Sequence, residues 1–364
     1  MQNRSQRRNK RQVKLVLLII GIFGILSMCG FLLQRAEKMF VRQKDAVWKE
    51  EPAEEPKVMA DTEKIVELDG NVYTYNHRIQ TWLFIGTDAS GQEDAQGKDY
   101  RGSMADFLLL AILDKTDKTY AFLQINRDTI AEVTMLQTDG SSAASANLQI
   151  CTAHWYGGSP QQSCENTVEA VSKLLGGVDI DGYYSLSMED IPELNHAVGG
   201  VEVKIIGDFS KSEPSLREGE IVLLNDKQAY TYVCGRYHVG DETNVQRMER
   251  QKQYMEALFN KVHDTFRQNP KFLNLLYEQL EDKAVTDTKG RDVSRIISRM
   301  ADGESRGIFK FEGKTRIGQR LGDGLDHVEF HLDQESLIET MKKLYHLEKT
   351  ENTKDVKTAK ESGE

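Results

Sequence analysis

Trp82-Leu-Phe-Ile-Gly-Thr-Asp88, Ala105-Asp-Phe-Leu-Leu-Leu-Ala-Ile-Leu113 and Thr119-Tyr-Ala-Phe-Leu-Gln-Ile-Asn-Arg-Asp-Thr129 are three runs that are apolar almost throughout instead of alternating. That pattern predicts strands buried on both faces. Each run carries charge at one end. Asp88 closes the first, Asp106 opens the second, and Arg127 and Asp128 close the third. A hairpin through Asp114 to Lys118 sets the start of the second run beside the end of the third, and so Asp106 near Arg127. A first strand parallel to the third brings Asp88 to the same edge. Carboxylates held close repel one another unless a cation sits between them, so a hard divalent ion is a natural guest there.

Working outward, residues 1–14 form a basic tail with Arg4, Arg7, Arg8, Lys10, Arg11 and Lys14 and no acid. Residues 15–33 are uncharged and mostly apolar, long enough for one transmembrane helix. The positive-inside rule keeps the tail cytoplasmic and places the C-terminal domain outside the cell membrane, in a single-pass topology. A cleaved signal peptide is the rival, but no small-x-small site follows the apolar run, and Met28 stands where a lipoprotein cleavage site needs a small residue. Removing six positive charges from the net −10 leaves −16 for the remainder. So acidic an exterior argues against nucleic acid as a partner, and an anionic ligand requires a local arginine cluster. Outside the span stand Cys151, Cys164 and Cys234. Cys151 and Cys164 read either as a disulfide or as two thiols, and no cysteine pair has zinc spacing.

Residues 34–65 read as an extracytoplasmic stalk, with Pro52, Pro56 and a Glu-rich run. The loop from Ala89 to Ser103 is rich in Gly, Asp and Ser. After Thr129 the Gly/Ser/Ala run 140–146 reads as irregular. Ser163 is a fair N-cap for a helix over Cys164 to Leu175, followed by a strand at Gly182 to Leu186. A second capped helix ends at Gly199-Gly200, a strand starts at Val201, and another helix lies near Asp226 to Val233. A long helix follows, with Val245, Met248, Met255, Phe259, Val262 and Phe266 on one stripe. Arg247, Arg250, Gln251 and Tyr254 share a neighbouring face at the margin of that stripe. They either lean over a cleft or lie solvated beside Glu249 and Glu256, and spacing alone favours the solvated reading. Residues 267–348 read as a largely helical extension ending in a small strand (Val328 onward) and a helix from Gln334 to Leu347. Residues 349–364 lack apolar content and read as a disordered tail.

Taken together, Gly-Thr-Asp (86–88), Ala-Asp-Phe (105–107), Asn-Arg-Asp-Thr (126–129), Tyr-Gly-Gly (156–158), Val-Gly-Gly-Val (198–201) and the Arg236 to Gln251 pattern resemble the LytR-CpsA-Psr family over roughly residues 80 to 265. With the alternation of strand and helix, the resemblance implies an α/β (α+β) fold over residues 66–266. The expected form is a three-layer α-β-α sandwich with a central mixed sheet. It also implies a membrane-anchored transferase that moves a teichoic acid or capsule glycopolymer from a polyprenyl-pyrophosphate-linked glycan to a peptidoglycan acceptor. In that reading Asp88 and Asp106 hold Mg2+ as cofactor. Arg101, Arg127, Arg236, Arg247, Arg250 and Gln251 bind the pyrophosphate, and Asp128 orients Arg127 or acts as base. Two positions depart from the family pattern, because Met104 and Cys234 stand where arginines are usual. The alternative implied by those departures is a non-catalytic envelope module that binds lipid-linked glycans or scaffolds wall assembly.

Overall fold

The computed structural model describes residues 64–76, 78–88, 102–268, 284–288, 299–300 and 303–350. The apolar runs form strands as the sequence requires. A short hairpin, β1 (Lys64–Leu68) and β2 (Asn71–Tyr75), precedes β3 (Ile79–Thr87), β4 (Ala105–Asp114) and β5 (Thr119–Ile125). All but the second residue of β3 and of β4 are buried, the signature of strands covered on both faces. β4 and β5 pair antiparallel, with Leu108 opposite Ile125 and Asp114 opposite Thr119. The hairpin through Asp114 to Lys118 is therefore present.

The stretch after Thr129 is not irregular. It folds as a second antiparallel hairpin of β6 (Ile130–Leu136) and β7 (Ser142–Gln149). Small Ala and Ser residues carry little strand propensity, so pairing with β6 decides their conformation. A 3-10 turn over Ile150–Trp155 leads into α1 (Pro160–Leu174), which starts before the expected Ser163. Ser159 is the N-cap, accepting from Gln162 N at 3.2 Å, and Pro160 is pre-set for the first helical position. β8 (Gly182–Ser187), α2 (Ile191–Ala197), β9 (Val201–Lys204), β10 (Ile221–Leu224), α3 (Asp226–Cys234) and α4 (Asn244–Gln268) follow near their expected places. The stretch read as a helical extension includes β11 (Val285–Thr286) and three further strands, β12 (Glu304–Lys310), β13 (Gly313–Gly318) and β14 (His327–Leu332). α5 (Gln334–Tyr345) and β15 (Glu348–Lys349) close the described chain.

The central mixed sheet has six strands in the order β11-β8-β3-β4-β5-β12. The chain divides into two compact units. One comprises residues 1–45, 85–90 and 184–305, and the other residues 46–84, 91–183 and 306–364. Among the described residues no helix is long and apolar enough to cross a membrane, and the apolar run 15–33 lies outside them. Of the residues read as a stalk (34–65) and as a tail (349–364), those before Lys64 and beyond Thr350 also lie outside the described residues.

Candidate functional site

In the unit that holds residues 91–183, the paired register of β4 and β5 ends at Leu108 opposite Ile125, and Asp106 and Arg127 each lie two residues beyond that pair. Residues opposite one another on an antiparallel pair sit close enough for side chains to meet, and the Arg127 guanidinium contacts the Asp106 carboxylate through Nη1. Nε lies 3.5 Å from Asp128 Oδ1. Nη2 meets Met104 Sδ, and it reaches Cys151 Sγ at 3.3 Å. The Arg127 side chain is only 13 % exposed. Two carboxylates and two sulfurs thus hold a largely desolvated guanidinium, where charge-assisted contacts are stronger than in water.

The backbone under this centre is fixed from three directions. Asn126 Oδ1 accepts from Asp128 N at 2.9 Å and Thr129 N donates to Asn126 O at 3.0 Å, an Asx turn. Cys151 N donates to Arg127 O at 3.1 Å, and Phe330 N to Asp128 O at 2.8 Å. The Asn126 side chain itself builds this Asx turn. The 3-10 turn is itself locked by His154, whose Nδ1 is 2.9 Å from Ser103 O and whose Nε2 is 3.6 Å from Cys164 Sγ. A carbonyl partner requires the proton on Nδ1, which leaves Nε2 to accept from the thiol. Cys151 and Cys164 form no disulfide, and both are buried.

The other unit holds Asp88, Arg236, Arg247, Arg250 and Gln251. Asp88 is exposed just after β3. On α4 the solvated reading of the basic face is overturned. Arg247, Arg250, Gln251 and Tyr254 are 4, 1, 2 and 0 % exposed, whereas Val245, expected in the buried stripe, is 41 % exposed. The basic face is the buried face. Arg250 explains why: its Nε donates to Tyr232 O at 2.9 Å, Nη2 to Gly235 O, and Nη1 to Gln246 Oε1 at 3.3 Å. Those carbonyls lie at the C-terminal end of α3, where unpaired acceptors and the helix dipole favour a cation. The guanidinium also stacks 5.5 Å from the Phe209 ring. Burial pulls Arg250 down to about 10, so it stays charged at neutral pH. Arg250, expected to bind pyrophosphate, thus spends three N–H groups on two backbone carbonyls and the Gln246 side chain.

Arg247 bonds Asn244 Oδ1 from Nε (3.1 Å) and Nη2 (2.7 Å). Gln251 Nε2 reaches Val233 O at 3.4 Å. Burial pushes the Cys234 thiol up to about 12 against the pull of Arg247, so this position carries a neutral group. Arg236 is different. Its Nε donates to Glu242 O at 3.2 Å and its guanidinium lies over Tyr237, leaving both terminal nitrogens without a hydrogen bond among the described residues. Arg101 lies outside the described residues. The sequence reading gave no site role to Cys151 or Asn244, and neither carries a local signal that points to an arginine partner.

The described residues thus define a mixed α/β protein with an arginine held between carboxylates at the end of its central hairpin. The LytR_cpsA_psr family matches residues 39–345, and the chain belongs to that family. A polyisoprenyl-teichoic acid–peptidoglycan teichoic acid transferase, TagU, of Halalkalibacterium halodurans is 28% identical over 161 residues, 44% of this chain and 48% of that protein. The chain therefore spans about half the length of that relative. TagU of Bacillus licheniformis is 24% identical over 258 residues, 71% of this chain and 73% of that protein. The fold is similar to that of B. subtilis TagV, with a TM-score of 0.54 and 21% identity, covering 74% of this chain and 96% of that one. It is also similar to TagT bound to LI-WTA, with a TM-score of 0.53 and 18% identity over 74% and 90% of the two chains.

Proposed function

We propose that the chain is a membrane-anchored, three-layer α-β-α phosphotransferase acting outside the cell membrane. It passes a teichoic acid or capsule glycopolymer from a polyprenyl-pyrophosphate carrier to peptidoglycan. The observation that carries this reading is Arg127, presented as a fixed fork between Asp106 and Asp128 in a chain of the LytR_cpsA_psr family. A carbohydrate hydroxyl of the acceptor attacks the glycan-linked phosphorus, its P–O bond forms as the bond to the distal phosphate breaks, and polyprenyl phosphate leaves, the hydroxyl proton passing to the leaving phosphate or to water. Arg127 stabilises the negative charge that shifts onto the leaving phosphate. The family resemblance assigns pyrophosphate binding to Arg236 and Arg247 as well, and Arg236 keeps both terminal nitrogens without a hydrogen bond among the described residues. Asp128, 5 % exposed and beside Arg127 Nε, orients the guanidinium instead of taking the hydroxyl proton. Asp88 and Asp106 offer the all-oxygen donor chemistry that suits magnesium, which when bound neutralises pyrophosphate charge. Met104 and Cys151 around Arg127 favour a second reading, the non-catalytic glycan-binding module, because they engage a nitrogen that phosphate would otherwise use.

The test is the full chain in detergent with magnesium and a short-chain polyprenyl-pyrophosphate glycan, following release of polyprenyl phosphate. Release is expected to fall at least about a hundredfold in Arg127→Ala, the loss of about 3 kcal/mol of transition-state stabilisation. It is also expected to stop with chelator. Tight glycan binding without release in the wild type selects the module.

A further inference from the structure

At the far end of β4 from Asp106, the turn into β5 meets the end of α5. Asp114 is buried at 8 % exposure. Its Oδ1 accepts from Thr116 N at 2.7 Å and Asp117 N at 3.2 Å. Its Oδ2 accepts no hydrogen bond among the described residues, yet His346 Nε2 stands 3.2 Å away and 3.8 Å from Asp117 Oδ2. Neither carboxylate pairs with a lysine or arginine among the described residues. Asp114 and Asp117 thus turn carboxylate oxygens toward one imidazole nitrogen, a mixed oxygen and nitrogen donor set anchored on the buried Asp114. We propose that Asp114, Asp117 and His346 bind a divalent transition metal of the zinc class, which fastens the C-terminal end of α5 to the β4–β5 turn.

The spacing fits. All three ligand atoms lie within 4.8 Å of one another. Zinc bonds of about 2.0–2.2 Å in a tetrahedron separate ligands by about 3.3–3.6 Å, and the two contacts to His346 bracket that range. An imidazole nitrogen selects zinc-class ions over magnesium or calcium, and water completes the fourth position. His346 ends α5 in the left-handed region, at φ 52 and ψ 47. Eight residues of strand, about 26 Å at about 3.3 Å each, separate Asp114 from Asp106, so this ion is not the one proposed at the hairpin's other end.

The full chain, stripped with chelator and dialysed against micromolar zinc at neutral pH, is expected to retain one zinc per chain and to gain about 5 °C in Tm. Cobalt(II) in its place is expected to give the visible absorption of a tetrahedral site. His346→Gln, which removes a half-exposed side chain and leaves Asp114 in place, is expected to abolish uptake, shift and spectrum. Asp106→Asn is expected to keep all three, and a hundredfold excess of magnesium not to displace the metal. No uptake by the wild type, uptake retained in His346→Gln, or uptake lost in Asp106→Asn each overturns the assignment.

Discussion

Among the arginines, identical chemistry is put to different ends by local partners. Arg250 reaches two carbonyls at the end of α3 and stacks on Phe209, so it is part of the frame. Arg250→Met is expected to lower the unfolding free energy by at least about 3 kcal/mol, because three hydrogen bonds from a charged group are lost and buried acceptors are left bare. Arg236, half-buried with two uncommitted nitrogens, is expected to change stability by no more than about 0.5 kcal/mol when replaced by alanine, while weakening pyrophosphate affinity at least about tenfold. Urea denaturation and equilibrium binding of a pyrophosphate analogue separate the two. Equal destabilisation by both substitutions would contradict the division of roles.

The hairpin β4–β5 and the 3-10 turn Ile150–Trp155 act as a pair of elements around Arg127. The turn brings Cys151 to the guanidinium and sets His154 against both Ser103 and Cys164. Packing there is tight: a Cβ on Gly102 would stand 1.8 Å from His154 O. The thiols are therefore expected to resist iodoacetamide in the native protein without reductant, and to react fully once the chain is unfolded in guanidinium without reductant. Mass spectrometry reads both states. Labelling of neither thiol after unfolding would restore the disulfide that their positions also allowed. The hairpin was legible in the sequence because its runs are apolar throughout and its turn is polar. The β6–β7 hairpin was not, because the Ser/Ala run of β7 takes its conformation from its partner strand.

Within the unit that contains Arg127, residues from near position 70 and beyond position 306 are packed together. Phe330 N–H holds Asp128 O, Gln149 Nε2 donates to Val328 O at 3.0 Å, and Tyr345 reaches Thr81 Oγ1 at 3.0 Å and the Tyr75 ring edge-on. A chain truncated after residue 303 is expected to lose the cooperative unfolding of this unit, seen as early proteolysis of the 105–129 segment. Unaltered protection there would show the C-terminal strands to be dispensable. By itself, the sequence determined the buried strands, the hairpin, the opposition of Asp106 and Arg127 and the grouping of Arg247, Arg250 and Gln251 on one helical face. All of these follow from periodicity and chain connectivity. That this face turns inward, that Arg250 caps a helix and that β14 braces the Arg127–Asp128 turn follow from long-range packing instead. Periodicity says which residues share a face, but what that face meets depends on partners far along the chain, and buried carbonyls can draw arginine inward as surely as apolar contact draws leucine.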